Sequence, residues 1–248
     1  MKLVHFLPLV LAVGCATYEP APPPDASEPR RARIPKLSGS LQIDGRLDEP
    51  VWRRAAVLKP FIPNRGEGAD SEGTEVRIWY DDTALHLGWI CIDRDIQATF
   101  TARDSKFWEE EVAEFFITPD KLDQYFELQW NPLGGVFDAI IRNQLGPDGK
   151  SRKFTGDWDY TAQGMRSAVR VEGTVANSAD TDRSWTVEVS VPFADLGVSA
   201  PKPGAVWRGN FYRFSRGSNK PETQLSWSPT RLPSFHQPAR FGYLEFGR

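Results

Sequence analysis

Two glutamates in apolar, strand-like runs are the clearest candidates for chemistry. Glu114 lies in the run 112–117, and Glu127 lies in the next run, 125–130. A carboxylate in such a strand is either solvated on the outer face or placed to accept hydrogen bonds from a ligand. If the two runs form adjacent strands, the pair also has the residue types for glycoside hydrolysis, which needs carboxylates about 5–10 Å apart across a cleft.

Other reaction classes lack their residues. The three histidines are His5, His86 and His236, and there is no serine-centred elbow, paired metal-binding histidine motif or phosphate loop. Cys91, in an apolar run, is expected to be a small core residue. The acidic run 109–111 predicts a solvated face. Calcium is the alternative there, because hard cations take carboxylate oxygens, although the run lacks the spacing of a calcium loop.

The first fourteen residues have the pattern of an export signal. Lys2 is followed by an apolar run that is too short to span a bilayer. The stretch 11–15 resembles the lipobox of bacterial lipoproteins, which implies that Cys15 is acylated after cleavage. Ala12 stands where these boxes usually carry Leu, so an ordinary signal peptide cleaved nearby is the alternative. Ala16 lacks the Asp that commonly retains lipoproteins at the inner membrane, which favours the outer membrane if the host has one.

The chain is predicted to divide into three parts. Residues 1–14 form the signal peptide, and residues 15–36 form a lipidated, proline-rich tether that is too poor in apolar residues to build a core. Residues 37–248 form one domain. We therefore expect an exported protein held to the bacterial cell envelope by a lipid.

The elements that must position these residues are short β-strands. Apolar and polar residues alternate in most runs, as in 76–80 and 85–91, and turn sequences such as Pro132-Leu133-Gly134-Gly135 separate them. Many short strands separated by turn sequences predict an all-β, mainly antiparallel sandwich with a few short helices. The tryptophans in these runs are expected to lie mostly in the core; they are Trp52, Trp79, Trp89, Trp185 and Trp207.

Composition excludes one class of partner. The net charge is −3 and the basic residues are scattered rather than gathered into a stripe, so the electrostatic footprint of a nucleic-acid-binding protein is absent. Hydrophobic residues make up 40% of the chain, which is enough for a single core. We expect a monomer.

Several segments, in order, resemble family 9 carbohydrate-binding modules. The opening Ile43-Asp44-Gly45 continues to Asp48-Glu49-Pro50-Val51-Trp52, and further matching segments follow at 76–81, 85–88, 108–117, 185–193 and 241–242. The resemblance runs from about residue 41 to residue 246. It implies a jelly-roll-like β-sandwich that holds the end of a sugar chain between two aromatic side chains.

The resemblance also implies which residues form the site. Trp108 corresponds to one aromatic wall, Glu114 to a carboxylate that binds hydroxyls, and Phe235 to the second wall. The sequence departs from the compared module in three places: Phe235 replaces Trp, Glu127 replaces Arg, and Leu232-Pro233 stands where Asn precedes the second wall. A buried sugar hydroxyl left unpaired costs about 1–3 kcal/mol, so these departures weaken or redirect binding. His236, beside the second wall, is either a ligand group or simply a surface residue.

Three functions follow from these observations. The first is non-catalytic binding of poly- or oligosaccharide ends by a membrane-tethered lipoprotein, supporting polysaccharide capture or breakdown, with no cofactor required and calcium as an option. The second is a glycoside-active enzyme that uses Glu114 and Glu127. The third is an envelope scaffold that keeps the sandwich for protein interaction and has lost sugar binding.

Overall fold

A computed structural model describes residues 28–66, 68, 70 and 73–248. Over these residues the chain is nearly all β, which confirms the predicted fold class. Short 3-10 helices cover Pro50–Arg54, Phe107–Glu109 and Pro238–Arg240. In chain order the strands are β1 (Arg31–Ile34), β2 (Ala56–Leu58), β3 (Ile62–Pro63), β4 (Thr74–Tyr80), β5 (Ala84–Ile92), β6 (Val112–Thr118), β7 (Gln124–Trp130), β8 (Val136–Leu145), β9 (Ser151–Asp157), β10 (Arg166–Glu172), β11 (Ser184–Pro192), β12 (Val206–Gly217), β13 (Lys220–Ser226) and β14 (Gly242–Phe246).

The strands form two sheets that pack as a sandwich. Among the described residues, the larger sheet has the order β1-β14-β12-β6-β7-β8-β9, and β13 and β3 extend it beside β12. The smaller sheet has the order β10-β11-β5-β4-β2. Neighbouring strands are antiparallel except β1 and β14, which pair in parallel. Strands β6 and β7 therefore lie in the middle of the larger sheet, and β9 lies at one of its edges.

The main core lies between the sheets. In β6 and β7 the alternate residues Phe115, Ile117, Leu128 and Trp130 are fully buried there. The five tryptophans predicted to be internal are each no more than 7% exposed, which confirms that prediction. Cys91 is also buried, and burial raises the pKa of its thiol to about 12, so this cysteine is an inert packing residue.

The larger sheet also has an apolar outer face. A second cluster of buried residues, which includes Phe116, Tyr125, Phe137 and Tyr212, lies on the side that faces away from the smaller sheet. Every residue of β6 is therefore buried, as in strands that are covered on both faces. The cover consists of loops, one around Phe107–Glu109 and one around residues 233–241. This second layer is where the polar residues of interest lie.

The domain begins earlier than the sequence predicted. Residues 31–34 fall within the predicted tether, but they form β1, pair with β14 and bury Ile34 completely. The short alternation Arg-Ala-Arg-Ile suits an edge strand, and its partner lies at the far end of the chain. The predicted signal peptide and the predicted acylation site, Cys15, lie outside the described residues. In the described part of the chain, no helix has the length and apolar character needed to cross a bilayer.

Candidate functional site

A cavity of about 440 Å³ opens on the outer face of the larger sheet. The four residues predicted to bind a ligand, Trp108, Glu114, Glu127 and Phe235, all line it. The structure thus brings together residues that are distant in sequence, while their roles remain predictions. The other lining residues are Gln129, Phe154, Trp158, Phe214, Gln224, Pro233, Ser234 and His236.

The floor of the cavity is polar and comes from the two central strands. Glu114 of β6 lies directly opposite Gln129 of β7, and Glu127 lies two residues before Gln129 on the same face. These three side chains belong to residues that are at most 4% exposed. Glu127 accepts a hydrogen bond of 2.6 Å from the Gln129 amide. The other carboxylate oxygen of Glu127 and the amide oxygen of Gln129 have no hydrogen-bond partner among the described residues.

Burial controls the charge of this floor. It raises the pKa of Glu127 to about 8. It also raises the pKa of Glu114 well above the usual range, and the neighbouring Glu127 carboxylate adds to that effect. The cause is general, because a low-dielectric site penalises an ionised carboxyl and two adjacent carboxyls repel each other. Near neutral pH the floor therefore consists of two largely protonated acids.

The two predicted aromatic walls differ in exposure. Trp108 is half-buried, and its ring contacts Phe137 edge-on at a centroid distance of 5.6 Å. Phe235 is only 6% exposed, because one face of its ring stacks on Tyr212 at 4.1 Å. The Tyr212 hydroxyl also donates a hydrogen bond to the backbone carbonyl of Phe235, which fixes the loop. Phe235 thus lines the cavity with a small part of its surface.

Two more exposed aromatic side chains complete the cavity, and sequence reasoning missed both. Trp158 is 51% exposed and leans on Phe137, while Phe154 is 38% exposed and stacks on His236 at 3.8 Å. They come from the edge strand β9 and the turn after it, a region that lacks the apolar alternation used to find strands. The available signal was chemical, since Phe154 and Trp158 are two large aromatic residues close together among Arg, Lys, Thr and Asp, and an exposed apolar patch marks an interaction site.

His236 is an uncharged part of the wall rather than a simple surface residue. Its Nδ1 atom shares a hydrogen bond of 2.6 Å with the Tyr125 hydroxyl. Burial lowers the pKa of the His236 imidazole to about 4, so the ring is neutral at physiological pH. The same Nδ1 atom lies 4.0 Å from the unpaired oxygen of Glu127. The ring therefore supplies shape and a neutral polar edge to the cavity.

The acidic run 109–111 is not the solvated face that the sequence predicted. Glu109 is exposed, but Glu110 accepts hydrogen bonds from the backbone amides of Thr99 and Phe100. Glu111 is fully buried and lies 2.6 Å from Lys220. The carboxylates of Glu110 and Glu111 thus contact different partners, and the run does not form a shared cation site. The described residues contain no group of three or more potential metal ligands, and calcium binding remains an untested prediction.

Comparisons with known proteins agree on the domain type. The model of carbohydrate-binding family 9 matches residues 69–246. A search of curated protein sequences gives no match. A Bacteroides uniformis protein proposed to bind carbohydrate has a similar structure, with a TM-score of 0.67 and 18% identity, covering 88% of this chain and 100% of that one. A family 9 module from Caldicellulosiruptor kristjanssonii in complex with cellotriose has a TM-score of 0.57 and 15% identity, covering 88% and 95%. At these identities the likeness shows the shared fold.

Proposed function

Because the chain belongs to carbohydrate-binding family 9, we propose that it binds the end of a saccharide chain in the cavity on the outer face of the larger sheet. The observation that carries this proposal is the pairing of exposed aromatic surface with a buried polar floor in one cavity. A pyranose ring has an apolar C–H face that packs on an aromatic plane and a rim of hydroxyls that need partners. Trp158, Phe154 and Trp108 supply the first kind of contact, and the floor supplies the second.

The arrangement of the carboxyls favours binding over cleavage. Glycosidases place their two carboxylic acids on either side of the scissile bond. Glu114 and Glu127 instead extend side by side from adjacent strands of one floor. Both also have raised pKa values, whereas hydrolysis needs one ionised carboxylate beside one acid. We therefore propose a non-catalytic site.

We further propose that the protein is exported, acylated at Cys15 and held to the cell envelope as a monomer. The tether would join the sandwich at β1, at the edge of the larger sheet opposite β9. With strands about 4.8 Å apart, roughly 25–30 Å of sheet separates that edge from Phe154 and Trp158. A tether attached there leaves the cavity open to a saccharide. Anchoring would raise the local concentration of sites that face a captured chain.

Saccharide binding is tested by isothermal titration of protein carrying Cys15→Ser against a panel of oligosaccharides. Trp158→Ala is expected to weaken the best ligand about tenfold by removing the exposed aromatic plane. Leu133→Ala is the matched control, since Leu133 is 41% exposed and does not line the cavity. Absence of binding to every saccharide, or equal affinity for wild type and Trp158→Ala, would reject the proposal.

Acylation is tested separately by labelling cells with a radioactive fatty acid. We expect label in the wild-type protein and none in the Cys15→Ser variant. Equal labelling of the two proteins would reject Cys15 as the site. The absence of label from both would favour an ordinary signal peptide.

A further inference from the structure

The floor of the proposed saccharide site is rich in hydrogen-bond acceptors and has no cation. Among the described residues that line the cavity, none is Lys or Arg. One oxygen of Glu127 and the amide oxygen of Gln129 are buried without a partner, on residues that are 4% and 1% exposed. Both atoms can only accept hydrogen bonds while Glu127 is ionised. Once Glu127 is ionised, these two atoms at the deepest point of the site need donors, and a ligand can supply them.

The other buried acids in the described part of the chain lie beside a cation or several hydrogen-bond donors, and the contrast shows what the cavity floor lacks. Asp93 pairs with Arg213 at 2.7 Å, and Glu111 pairs with Lys220 at 2.6 Å. Glu188 accepts hydrogen bonds from two backbone amides and a tryptophan ring. Buried acids are normally satisfied in this way, because an unpaired buried acceptor is costly. The cavity floor lacks a comparable cation, so a ligand is the natural source of one.

We propose that the cavity selects saccharides with a free amine, and that the ammonium group of an amino sugar lies on Glu127 and Gln129 while the sugar ring packs against Trp158. This inference rests on the proposed saccharide binding and adds the chemical class of the ligand. An ammonium group has three donors and one positive charge. It thus matches a floor with unpaired acceptors and two acids, whereas a hydroxyl donates a single hydrogen bond and brings no charge.

The groups around the floor are neutral or paired elsewhere, so a positive charge beside the two acids has to come from the ligand. From β7 and β12, Tyr125 and Tyr212 face the acids, and burial raises the pKa of both hydroxyls, so they stay neutral. From the loop, His236 is neutral as well. Arg216 lies over the ring of Phe214, but it pairs with Glu222 and donates a hydrogen bond to a backbone carbonyl. Binding of an ammonium therefore favours the ionised form of Glu127 and releases its proton to solvent.

Three trisaccharides that differ only at the C2 substituent test the inference. They are fully deacetylated chitotriose, fully acetylated chitotriose and cellotriose, titrated into protein carrying Cys15→Ser at pH 7. We expect the deacetylated trimer to bind at least about tenfold more tightly than either neutral trimer, because a buried charge pair forms only with the amine. Trilysine, a cation without a sugar ring, is expected to bind weakly.

The outcomes separate this inference from the proposed function. Cellotriose binding as tightly as the deacetylated trimer would overturn amine selection and leave saccharide binding intact. Trilysine binding as tightly as the deacetylated trimer would overturn both, because the sugar ring would then contribute nothing. Failure of the deacetylated trimer to bind would overturn amine selection, and the wider oligosaccharide panel would then decide the proposed function alone.

Two variants locate the effect on the floor. Glu127→Gln keeps the size of the side chain and removes its charge, so we expect the preference for amine over hydroxyl to fall below about threefold. Glu172→Gln removes an exposed carboxylate on the smaller sheet, and the preference is expected to stay unchanged. An unchanged preference in Glu127→Gln would overturn the inference, provided that thermal unfolding shows the variant to be folded.

Discussion

At the scale of single residues, the protein keeps two carboxyls in a place where water cannot stabilise their charge. Glu114 and Glu127 lie on one face of adjacent strands and are at most 4% exposed. An acid placed there is protonated unless a ligand supplies charge or donors. The protonation of the two acids is therefore set by the absence of water and of a nearby cation. Their ionisation should affect the free energy of unfolding of the whole domain.

That ionisation predicts a specific pH dependence. The pKa of Glu127 is about 8 in the folded protein, above the roughly 4.3 of an unfolded chain. The folded state therefore holds this proton more tightly, so the stabilisation is complete below pH 4 and is lost as pH rises through 8. We expect the free energy of unfolding of the wild type to fall by about 1–3 kcal/mol more than that of Glu127→Gln between pH 5 and pH 8.

Chemical denaturation at several pH values checks this expectation. Glu111 and Glu188 also have raised pKa values, so only the difference between wild type and variant isolates Glu127 together with its effect on Glu114. Glu172→Gln is the control and should follow the wild-type curve. Parallel pH profiles for wild type and Glu127→Gln would mean that Glu127 is ionised in the folded protein.

At the scale of elements, the edge strand β9 positions the exposed aromatic surface. A Cβ atom at Gly156 would lie 2.4 Å from the indole ring of Trp158, so the ring packs where only glycine leaves room. Strand β9 has a single neighbour, β8, and much of its surface faces solvent. Its sequence is thus free to serve the cavity rather than the core.

Replacement of Gly156 should therefore impair binding with little effect on folding. Gly156→Ala forces the Trp158 ring to move, and we expect saccharide affinity to fall about three- to tenfold while the free energy of unfolding changes by less than about 0.5 kcal/mol. Titration and denaturation measure the two effects. Thr155→Ala, at an exposed neighbour in the same strand, is the control. Unchanged affinity in Gly156→Ala would show that the position of Trp158 is unimportant.

The turn at Asp44-Gly45 illustrates how a sequence motif acts through a distant strand. The backbone amides of both residues donate to one oxygen of the buried Glu188 side chain, and the Trp52 ring donates to the other. Gly45 has a φ of 83°, which a residue with a side chain adopts only with strain. The motif 43–52 therefore closes the outer face of the smaller sheet.

Loss of this carboxylate should destabilise the domain. Glu188→Ala leaves three donors without an acceptor, and we expect the free energy of unfolding to fall by about 3 kcal/mol. Glu172→Ala, on the neighbouring strand, should change it by less than about 0.5 kcal/mol. Urea denaturation of both variants tests this. A loss in Glu188→Ala no larger than that in the control would contradict the role of the turn.

The sequence predicted the buried strands and their residues better than the exposed strand and the loops. Neighbouring side chains in a strand point to opposite sides. Glu114 therefore points away from the side of Phe115 in β6, and Glu127 points away from the side of Leu128 in β7, so both glutamates can be assigned to the outer face. The resemblance to family 9 then led to Trp108 and Phe235. Alternation is uninformative for β9, an exposed strand, and so Phe154 and Trp158 were missed. The prediction that the acidic run 109–111 forms a solvated face also failed for Glu111, whose burial depends on Lys220, which lies far away in sequence.

At the scale of the whole molecule, the first and last strands of the domain lie side by side in the larger sheet. Strand β1 pairs with β14, so the last residues of the predicted tether become part of the larger sheet. The segment between Cys15 and Arg31 would reach about 50 Å if fully extended as polyproline. If Cys15 is acylated as we propose, the domain would stay close to a membrane and keep Phe154 and Trp158 of the cavity at the other edge of the sheet.

This arrangement predicts where the domain can be cut. A protein that begins at residue 37, the boundary predicted from the sequence, lacks β1 and the buried Ile34 side chain. We expect it to be less stable by about 2–4 kcal/mol than a protein that begins at Glu28, because a strand and a buried apolar side chain are lost. Thermal denaturation compares the two. Equal stability would mean that β1 adds nothing to the fold.

The most direct test of the central claim is a crystal structure of the protein with the saccharide that titration finds to bind most tightly. We expect the terminal sugar in the cavity on the outer face of the larger sheet, with its ring against Trp158 and a polar substituent within hydrogen-bonding distance of Glu127. A saccharide bound on the smaller sheet, or at the sandwich rim away from these residues, would contradict the account.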